Sequence, residues 1–523
     1  MLGLPLFLLS LLRVAEPSLT LNGPKGTEGY YWPKHGGTYI GHGAVPYELN
    51  IDWSREPSWT WSNDEDELVR HGPVIDDKKN IYIATAHGWI RKFSPDGKVH
   101  WSWRASVQEG PIQTSPFLSN GKLFITSAGI PAIPGLVPFV YAFDMETGKQ
   151  LFKVPLPPNG RPNADSHTIH VAEGILLGPM VDNVRPAVGN NKIYGLNATD
   201  GSHLWEYVFE DGGFAWNFMP STPGDGTFYF SSNCGVAQRR RLVDGSLVWK
   251  SELKEPGEMC STGGGTFGGN GIFYVEANHW SAGLPFPGVS MCAGDRSDKC
   301  AEGMGIMVAH RAEDGKVLWA RRLGYHFGGG QYPTVAKIGG RWVLVAGVGR
   351  NPGPPQLFMG PGFLPEVVRY AVARLQRRLA PLRRWLGVPS VRNAVVAYDG
   401  ETGELLWRFE EEPWSYTAAA GDEDLLLSRV KRVRTDPRLE PACWPDPWSI
   451  PAVIADGTVV IGSGSNGNLY SIRDVNGDGH IQPEEVSTLK TGMAFLNGPA
   501  LAPGMLAAAP CWGKMYVYRS DTR

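Results

Sequence analysis

The chain has 523 residues, of which 42% are hydrophobic and 19% are charged, with 66 glycines and 42 prolines. The formal net charge of −3 excludes a global electrostatic field that would attract nucleic acid or an anionic membrane. This composition favours one large all-β domain with many turns over several independent domains.

The first element is an apolar run at residues 2–12, which is followed by Arg13. A run of this length is typical of a signal peptide and is too short to cross a bilayer as a helix. We therefore expect a signal peptide over residues 1–15, an N-terminal extension over residues 16–47, and a secreted, lumenal or periplasmic location. No later apolar run is long enough to span a bilayer, so the sequence does not predict a transmembrane chain.

Downstream, the chain repeats one pattern: two apolar strands, a tight turn that contains glycine, and an aromatic residue shortly after the turn. Each copy predicts a β-hairpin, because alternating apolar residues favour strands and glycine permits a positive φ in the turn. The aromatic residues that end the copies are Trp101, Phe152, Trp205, Trp249, Trp319 and Trp407. Self-similarity at roughly 40 to 50 residues is typical of a β-propeller, in which these aromatics would pack between neighbouring sheets.

The number of repeats predicts an eight-bladed β-propeller, with seven blades as the alternative if the closing unit is partial. Units start near Gly72, Thr114, Ser166, Met219, Ser261, Gln331, Trp448 and Gly498. The last unit lacks an outer strand, which residues 49–53, with Trp59 and Trp61 behind them, can supply from the N-terminal side, so that the ring has no open edge. We therefore expect an all-β propeller that forms a single domain over residues 48–523 and is closed by an N-terminal strand.

The repeat resembles the quinoprotein-type (PQQ-like) repeat. Residues 397–407 (Ala-Tyr-Asp-Gly-Glu-Thr-Gly-Glu-Leu-Leu-Trp) are close to a consensus copy, and residues 32–37 (Trp-Pro-Lys-His-Gly-Gly) resemble the start of such propellers. The resemblance extends over residues 48–519 and implies the propeller fold. Because this repeat occurs both in quinone-dependent dehydrogenases and in non-catalytic scaffolds, it leaves the activity open.

The long insertions all fall on one face of the predicted ring. In a blade the strands run A to D outward from the axis, and the B–C loops and the D–A connections share one face, here called the loop face. The long segments on it are 129–138, 182–190, 279–304, 351–392 and 410–447. Long loops commonly bind or cap something, so we expect a protein or small-molecule partner on the loop face.

All six cysteines also map to the loop face. In an oxidising compartment the near neighbours would pair as Cys234–Cys260, Cys292–Cys300 and Cys443–Cys511. Buried free thiols are the alternative.

The insertion at residues 351–392 contains a predicted basic amphipathic helix. Helical spacing brings together five apolar residues, Val368, Ala371, Leu375, Leu379 and Leu382, against six arginines, Arg369, Arg374, Arg377, Arg378, Arg383 and Arg384. Such a helix lies on an anionic membrane, enters a partner's groove, or folds its apolar side onto the propeller as a lid. Residues 363–386 are therefore a candidate for peripheral membrane contact.

Residues 474–485 match the EF-hand calcium loop. Ca²⁺ takes six to eight oxygen ligands. The predicted ligands are Asp474, Asn476, Asp478, the His480 carbonyl, Gln482 and Glu485. The loop replaces the ordinary turn of blade seven, is flanked by strands rather than helices, and lies opposite the loop face, so we expect structural rather than regulatory calcium.

The resemblance also implies a catalytic alternative in blade five. By this resemblance Asn278 would ligate a calcium that polarises the quinone carbonyl, and Asp295 or Asp298 would be the base that accepts the alcohol proton. The sequence departs from that pattern, because Phe267 and Gly268 stand where the quinone-stacking tryptophan is expected. The chain also has no adjacent Cys-Cys pair and no Cys-x-x-Cys-His motif.

Two functions follow. The preferred prediction is a calcium-stabilised scaffold that binds a protein or a ligand, similar in fold to the periplasmic lipoprotein of the outer-membrane assembly machinery. The alternative is a divergent alcohol dehydrogenase with calcium and pyrroloquinoline quinone as cofactors. Polar residues near the starts of the innermost strands would line either a ligand site or a water-filled channel at the axis, namely His71, Gln113, His167, Asn217, Gln331, Tyr332 and Asn497.

Overall fold

The structure is a computed structural model, and it describes most of the chain from residue 29 to residue 520. The gaps within this range are 42, 63–66, 113, 128–134, 159, 162–168, 185–188, 210–213, 216–217, 233–235, 252–257, 261–263, 281–304, 325–326, 329–331, 350–351, 353–364, 366, 369–370, 372–374, 376–378, 386–389, 391, 417, 423–428, 430–431, 433–434, 437, 439–441 and 444. The predicted signal peptide at residues 1–15 lies outside the described residues.

The first four blades follow the chain in order. Blade one contains β2 (Val74–Ile75), β3 (Ile81–Ala84), β4 (Trp89–Phe93) and β5 (Val99–Arg104). Blade two contains β6 (Phe117–Ser119), β7 (Lys122–Thr126), β8 (Phe139–Asp144) and β9 (Gln150–Pro155). Blade three contains β10 (Gly160–Arg161), β11 (His170–Ala172), β12 (Ile175–Asp182), β13 (Lys192–Asn197) and β14 (His203–Val208). Blade four contains β15 (Thr227–Ser231), β16 (Ala237–Arg241) and β17 (Leu247–Ser251), and an isolated bridge from Ser221 to Tyr229 takes the innermost position.

The other four blades complete the ring. Blade five contains β18 (Glu258–Cys260), β19 (Thr266–Phe267), β20 (Ile272–Trp280), β21 (Gly305–Arg311) and β22 (Val317–Arg322). Blade six contains β23 (Phe327–Gly328), β24 (Thr334–Ile338), β25 (Arg341–Gly349), β26 (Ala394–Asp399) and β27 (Leu405–Glu410). Blade seven contains β28 (Ala452–Val453), β29 (Val459–Gly462), β30 (Asn468–Ile472) and β31 (Val486–Lys490). Blade eight contains β32 (Ala500–Ala502), β33 (Met505–Ala508), β34 (Lys514–Arg519) and the N-terminal β1 (Trp59–Ser62).

Helical segments are short among the described residues. An α-helix, α1, spans Ala380–Trp385, and single 3₁₀ turns span Val107–Glu109 and Pro483–Glu485. The prediction of an eight-bladed all-β propeller is therefore confirmed, and β2 of the first blade lies beside β32 of the last.

The burial pattern explains why these segments form inner and outer strands. Every residue of β3 in blade one and of β29 in blade seven is buried, because these strands lie between two neighbouring blades. Their sequences are accordingly continuous apolar runs. In the outer β27 only Trp407 is fully buried, and charged residues alternate with apolar ones. The core thus lies in the seams between blades.

The ring is closed by a strand from the N-terminal side, as predicted, but the predicted segment was wrong. β1 pairs with β34, with Trp59 opposite Val517 and Trp61 opposite Met515. Residues 49–53 form no strand, and Trp53 instead donates a hydrogen bond from Nε1 to Ser471 Oγ in blade seven (2.7 Å). Apolar residues alternate in both segments, so periodicity could not choose between them. The aromatic contacts of Trp59 and Trp61 with blade one favour β1.

Tryptophans join neighbouring blades, as predicted. Trp101 of blade one packs on Gly148 in the turn of blade two, and its Nε1 donates a hydrogen bond to Met145 O (3.1 Å). Gly148 has a φ of 70°, and an added Cβ would lie 2.6 Å from the indole, so only glycine satisfies both conditions. This pair of contacts, here called the tryptophan clasp, recurs for Trp59 with Gly97 and Pro95 O, Trp205 with Gly245 and Leu242 O, Trp249 with Gly315 and Ala312 O, and Trp319 with Gly403 and Gly400 O.

Candidate functional site

The loop face carries the long insertions at the ends of described strands. β20 ends at Trp280 and β21 begins at Gly305, while β25 ends at Gly349 and β26 begins at Ala394. Both insertions connect B and C strands, so they leave the ring from the loop face.

The linker between blades six and seven crosses the loop face. After β27 ends at Glu410, Ala420 N donates a hydrogen bond to Ser465 O of blade seven (2.9 Å). Farther along, Arg438 Nη1 donates to Ala105 O of blade one (3.2 Å). The linker therefore ties together blades that are not consecutive in the chain.

A disulfide fixes this linker to blade eight. Cys443 of the linker is bonded to Cys511 in the B–C loop of blade eight, and both residues are fully buried. This predicted pair is confirmed. Cys234, Cys292 and Cys300 lie outside the described residues, and only the backbone of Cys260 is described, so the other two predicted pairs remain predictions.

Asp422 organises the linker beside the disulfide. Its Oδ1 accepts hydrogen bonds from Trp512 Nε1 (2.8 Å) and Arg429 Nη1 (3.2 Å), and its Oδ2 accepts one from Cys443 N (3.0 Å). The Arg429 guanidinium lies 3.5 Å from the centroid of the Trp512 ring. A buried carboxylate with three donors and a stacked cation gives this part of the loop face a single arrangement.

The centre of the ring holds the N-terminal segment, which is described at residues 31–41 and 43–47 and is here called the axial segment. Its backbone accepts hydrogen bonds from the inner strands of several blades: Leu118 N to Pro33 O (2.8 Å), Thr222 N to Tyr39 O (2.9 Å), Phe267 N to Ile40 O (3.0 Å) and Val453 N to Gly43 O (2.7 Å). Trp32 forms a bridge with Ile75 of blade one, and the Tyr39 ring contacts His170 of blade three. The region predicted as an extension thus packs inside the ring.

The axial segment also contacts residues that were predicted to line the axis. The His71 ring packs edge-on against His35 (centroids 5.2 Å apart), and Tyr332 donates a hydrogen bond from its hydroxyl to His35 O (2.7 Å). Asn497 Nδ2 donates to Val69 O (3.2 Å). Gln113, His167, Asn217 and Gln331 lie outside the described residues. The described members therefore face protein, with His71 and Tyr332 touching the axial segment itself.

Lys34 is the most unusual residue of the axial segment. The side chain is buried, and Nζ donates a hydrogen bond to the Tyr332 hydroxyl (3.3 Å). Burial lowers the pKa of Lys34 to about 7, because no countercharge offsets its desolvation among the described residues. The sequence patterns did not predict this group, although a lysine between aromatic and glycine residues at positions 32–37 was a usable signal.

The catalytic candidates of blade five are only partly described. Asn278 lies near the end of β20, in register with Cys260 and Gly305, while Asp295 and Asp298 lie outside the described residues. Two positions before Asn278, Glu276 is 5% exposed, and its Oε1 has no hydrogen-bond partner among the described residues. Burial, with a smaller effect from Asp446, raises the pKa of Glu276 well above its usual range. This acidic residue in an apolar strand was also missed.

The described residues do not fit a quinone stacked at the position that the resemblance indicates. Phe267, which replaces the expected tryptophan, donates its N–H to Ile40 O of the axial segment. Its ring packs against Tyr229 of blade four, with the centroids 5.2 Å apart. Phe267 thus belongs to a seam and to the axial packing, and it does not present a free aromatic face to an axial ligand.

The predicted calcium loop is described in full. Its internal hydrogen bonds run from Gly477 N to Asp474 Oδ1 (2.8 Å), Gly479 N to Asp474 Oδ2 (3.0 Å), His480 N to Asp478 Oδ1 (2.8 Å), Asn476 Nδ2 to Asp478 Oδ2 (3.0 Å), Gln482 Nε2 to Asp478 Oδ2 (2.9 Å), Val475 N to Glu485 Oε1 (2.7 Å) and Gln482 N to Glu485 Oε2 (2.9 Å). Backbone donors lower the pKa of Asp478 and of Glu485, so both are ionised at neutral pH.

These residues fit a calcium ion by their chemistry. The amide nitrogens of Asn476 and Gln482 both point at Asp478 Oδ2, and Gln482 Oε1 is a buried atom with no hydrogen-bond partner in the described structure. Rotation of the two amides would bring their oxygens to the carboxylate, where a cation would replace the amide protons. No group of three or more His, Cys, Asp and Glu side chains is arranged to hold a metal among the described residues, so the amide and carbonyl oxygens would have to contribute.

The predicted calcium loop also forms part of the seam between blades six and seven. His480 forms a parallel bridge with Arg408 of β27, and an added Cβ on Gly479 would lie 2.8 Å from Leu406 O. Ile481 packs against the hydrophobic cluster that contains Trp407. In the seams that have a tryptophan clasp, a glycine turn contacts the tryptophan of the preceding blade. Between blades six and seven, the longer loop occupies the position of that glycine turn.

The apolar side of the predicted basic helix is exposed. Val367, Val368, Ala371 and Leu375 are helical, and α1 follows at Ala380. The exposed fractions are 73% for Val367, 40% for Val368, 50% for Leu375 and 44% for Leu379. The apolar side therefore does not fold onto the propeller at these positions. None of the described helices is long and apolar enough to span a membrane.

Comparisons with known proteins agree with the fold. A family model described as outer membrane protein assembly factor BamB matches residues 53–211 and, in a second alignment, residues 86–259. The search of curated proteins found no match.

Solved structures with a similar fold include BamB and two dehydrogenases. BamB from Moraxella catarrhalis is 13% identical with a TM-score of 0.51, and the match covers 88% of this chain and 99% of that chain. A europium-containing methanol dehydrogenase is 12% identical with a TM-score of 0.57, covering 94% and 98%. Quinohemoprotein alcohol dehydrogenase from Comamonas testosteroni is 12% identical with a TM-score of 0.57, covering 95% and 82%. Together with the eight-bladed ring, these findings support a β-propeller fold that is similar to propellers of PQQ-like repeats.

Proposed function

We propose that this chain is a secreted, lumenal or periplasmic binding scaffold, stabilised by calcium, that presents its loop face to a protein or small-molecule partner. The observation that carries the proposal is the axial segment. Its hydrogen bonds to the inner strands and its contacts with His71 and Tyr332 take up part of the axis, where a central cofactor would otherwise bind. This arrangement favours a binding scaffold over an enzyme with a cofactor at the centre of the ring.

The loop face has the properties of a binding surface. The linker between blades six and seven is held by the Cys443–Cys511 disulfide and by three hydrogen bonds that the Asp422 carboxylate accepts. A surface that is already ordered loses less conformational entropy when a partner binds. The description of the matching family model as an assembly factor supports the same class of function.

Calcium would serve the scaffold through the seam between blades six and seven. When bound, the ion would supply positive charge that holds Asp474, Asp478 and Glu485 together with the amide oxygens of Asn476 and Gln482. Since the loop contacts Leu406 and Arg408 of blade six, ordering the loop also orders the neighbouring blade. Blade six carries the insertion between β25 and β26, so this seam supports the largest elaboration of the loop face.

Titration with pyrroloquinoline quinone in excess Ca²⁺ separates the scaffold from the dehydrogenase. The intact protein is mixed with the quinone while quinone absorbance and dye-linked alcohol oxidation are followed. We expect neither stoichiometric binding nor turnover, because Phe267 faces a seam and the axial segment. Stoichiometric binding with turnover that disappears in Asn278→Ala would establish the dehydrogenase and overturn the scaffold proposal.

A further inference from the structure

The seam between blades seven and eight is joined differently from the seams that have a tryptophan clasp. The outer strand of blade seven, β31, reads Val-Ser-Thr-Leu-Lys and contains no aromatic residue. Blade eight has no turn between its two outer strands, because β34 ends at Arg519 and β1 comes from the N-terminal side. Both halves of the clasp are therefore missing, and Trp53 packs into this seam instead, with its Nε1 donating to Ser471 Oγ of blade seven.

A groove lies beside Trp53 at the rim of this seam and is here called the rim groove. Its volume is about 650 Å³, which is within the range of ligand pockets. Four aromatic and two aliphatic side chains contribute to its lining, namely Trp53, Trp59, Tyr516, Tyr518, Leu489 and Met493. The rim groove is thus mainly aromatic, and it runs between the outer strands of two neighbouring blades.

The aromatic walls of the rim groove are fixed before anything binds. Trp59 Nε1 donates a hydrogen bond to Pro95 O of blade one (2.8 Å), and Trp53 Nε1 is held by Ser471 Oγ (2.7 Å). The rings of Trp53 and Tyr518 have centroids 5.2 Å apart and meet at 81°. They therefore form a corner into which a small ring on a chain can pack, whereas a sugar stacks on the flat face of an aromatic platform.

The rim groove offers a ligand side chains rather than a free strand edge on β34. This strand pairs with β33 on one side and with β1 on the other. Burial raises the pKa of Tyr516, and burial together with Tyr516 and Glu56 raises the pKa of Tyr518 to about 12. Both hydroxyls therefore keep their protons at neutral pH and can donate to ligand carbonyls. A polyproline II helix supplies such carbonyls, because it has no internal hydrogen bonds.

Charged residues lie at both ends of the rim groove. Exposed Lys514 begins β34 at one end, and exposed Arg55 and Glu56 line the groove as well, with Glu56 near Tyr518. Arg55 and Glu56 present both signs of charge, so Lys514 gives its end of the groove a preference for an acidic group. From Lys514 to Tyr518 the strand rises about 13 Å, which is the length of about four residues of a polyproline II helix.

We propose that the rim groove binds a proline-rich segment of a partner protein in the polyproline II conformation, with an acidic residue of that segment next to Lys514. Proline rings would pack against Trp53, Trp59 and Tyr518, while the tyrosine hydroxyls donate to the carbonyls. Aromatic grooves recognise such segments because a polyproline II helix is already extended and loses little entropy on binding. The rim groove consists of outer strands rather than loop-face insertions, so this inference is independent of the scaffold partner and of calcium.

Fluorescence anisotropy of a labelled peptide mixed with the full chain tests the proposal. The probe is a glutamate followed by about six prolines, and the comparison peptide has alternating alanine and glycine in place of the prolines. We expect saturable binding of the probe and at least about tenfold weaker binding of the comparison peptide, because the flexible chain loses more entropy. Absence of saturable probe binding, equal binding of the two peptides, or displacement of the probe by cellohexaose overturns the proposal.

Variants of the groove locate the bound peptide. Lys514→Glu should weaken binding of the probe at least about fivefold, and a probe with lysine in place of glutamate should bind this variant better than the unchanged protein. The control is Lys149→Glu, which reverses an exposed lysine near the turn of blade two and should leave both affinities unchanged. Tyr516→Phe/Tyr518→Phe keeps both rings and should weaken probe binding at least about fivefold through the lost donors. Equal affinities in Lys514→Glu and Lys149→Glu overturn the proposal.

Discussion

Lys34 shows how much the centre of this ring differs from a solvent channel. An ammonium in a water-filled channel would keep an ordinary pKa, whereas burial lowers the pKa of Lys34 to about 7. Its hydrogen bond reaches the Tyr332 hydroxyl, which itself donates to His35 O in the same segment. The side chain is thus part of the packing between the axial segment and blade six.

This lysine should make the stability of the protein depend on pH. Because its pKa is lower in the folded state than the ordinary 10.5, the unfolded chain binds more protons between about pH 7 and about pH 10.5. Stability should therefore rise with pH across this window. Lys34→Met should raise the free energy of unfolding near about pH 6, and the gain should be smaller near about pH 9 by on the order of 2 kcal/mol.

Denaturant unfolding at the two pH values checks this prediction. The control is Lys490→Met, which removes an exposed lysine from β31. Equal pH dependence in Lys34→Met and Lys490→Met would show that Lys34 is not the group responsible.

At the level of elements, the seams differ in how they are joined. Five seams use a tryptophan clasp, in which an indole covers a glycine turn and donates to a carbonyl of the next blade. Between blades six and seven the turn is lengthened into the predicted calcium loop, which contacts β27 through Gly479 and His480. This seam is the one whose strength we expect to depend on an ion.

Calcium should raise the thermal midpoint of the protein through this loop. Asp474→Asn/Glu485→Gln removes two of the carboxylates predicted to bind the ion, so calcium should no longer shift the midpoint. Asp200→Asn, in the turn of blade three, is the control, because the hydrogen bonds that Asp200 accepts in the described structure are local ones from Ser202 N and Ser202 Oγ. Amide exchange should also slow in β27 and β30 when calcium is added. A calcium shift that persists in the double variant would place the ion elsewhere.

The disulfide of the loop face should stabilise the linker. Cys443 and Cys511 are separated by 68 positions, so their bond restricts a long loop of the unfolded chain. Cys443→Ala/Cys511→Ala should lower the free energy of unfolding by about 2–4 kcal/mol in denaturant experiments. A reducing agent should bring the unchanged protein to the same value. If reduction leaves the free energy of unfolding unchanged, the Cys443–Cys511 disulfide does not stabilise the fold and the prediction is wrong.

Sequence reasoning succeeded where signals are local and failed where they are not. Each hairpin has a local pattern in which apolar and polar residues alternate and a turn with glycine follows. The blades and their number could therefore be predicted from the sequence. Segments 49–53 and 59–62 alternate equally well, and only distant contacts with Phe93 and Gly97 distinguish the closing strand. The burial of Lys34 depends on Tyr332, 298 positions away, and no periodicity reports such a contact.

At the scale of the whole molecule, the axial segment belongs to the folding unit. The sequence predicted a domain that starts at residue 48, whereas residues 31–47 supply backbone acceptors to the inner strands of four blades. Without them, buried N–H groups of Leu118, Thr222, Phe267 and Val453 would lose their partners. Each unsatisfied buried donor costs roughly 1–3 kcal/mol.

Truncation provides the measurement at this scale. A protein that lacks residues 1–28 retains the axial segment, while one that lacks residues 1–47 does not. We expect the first to unfold like the full chain and the second to show a markedly lower thermal midpoint or to aggregate. If both melt at the same temperature, the ring is self-sufficient from residue 48.

The position of the axial segment also imposes an order on assembly. The axial segment ends up surrounded by strands that are synthesised after it, and β1 can pair only after β34 has been made. Contacts such as Ser58 with Arg519 and Trp53 with Ser471 join residues 461 and 418 positions apart. Contacts of such separation form slowly, and until then the early residues are exposed to misassembly. The pairing of β1 therefore depends on blade eight, whose other strands are synthesised hundreds of residues later.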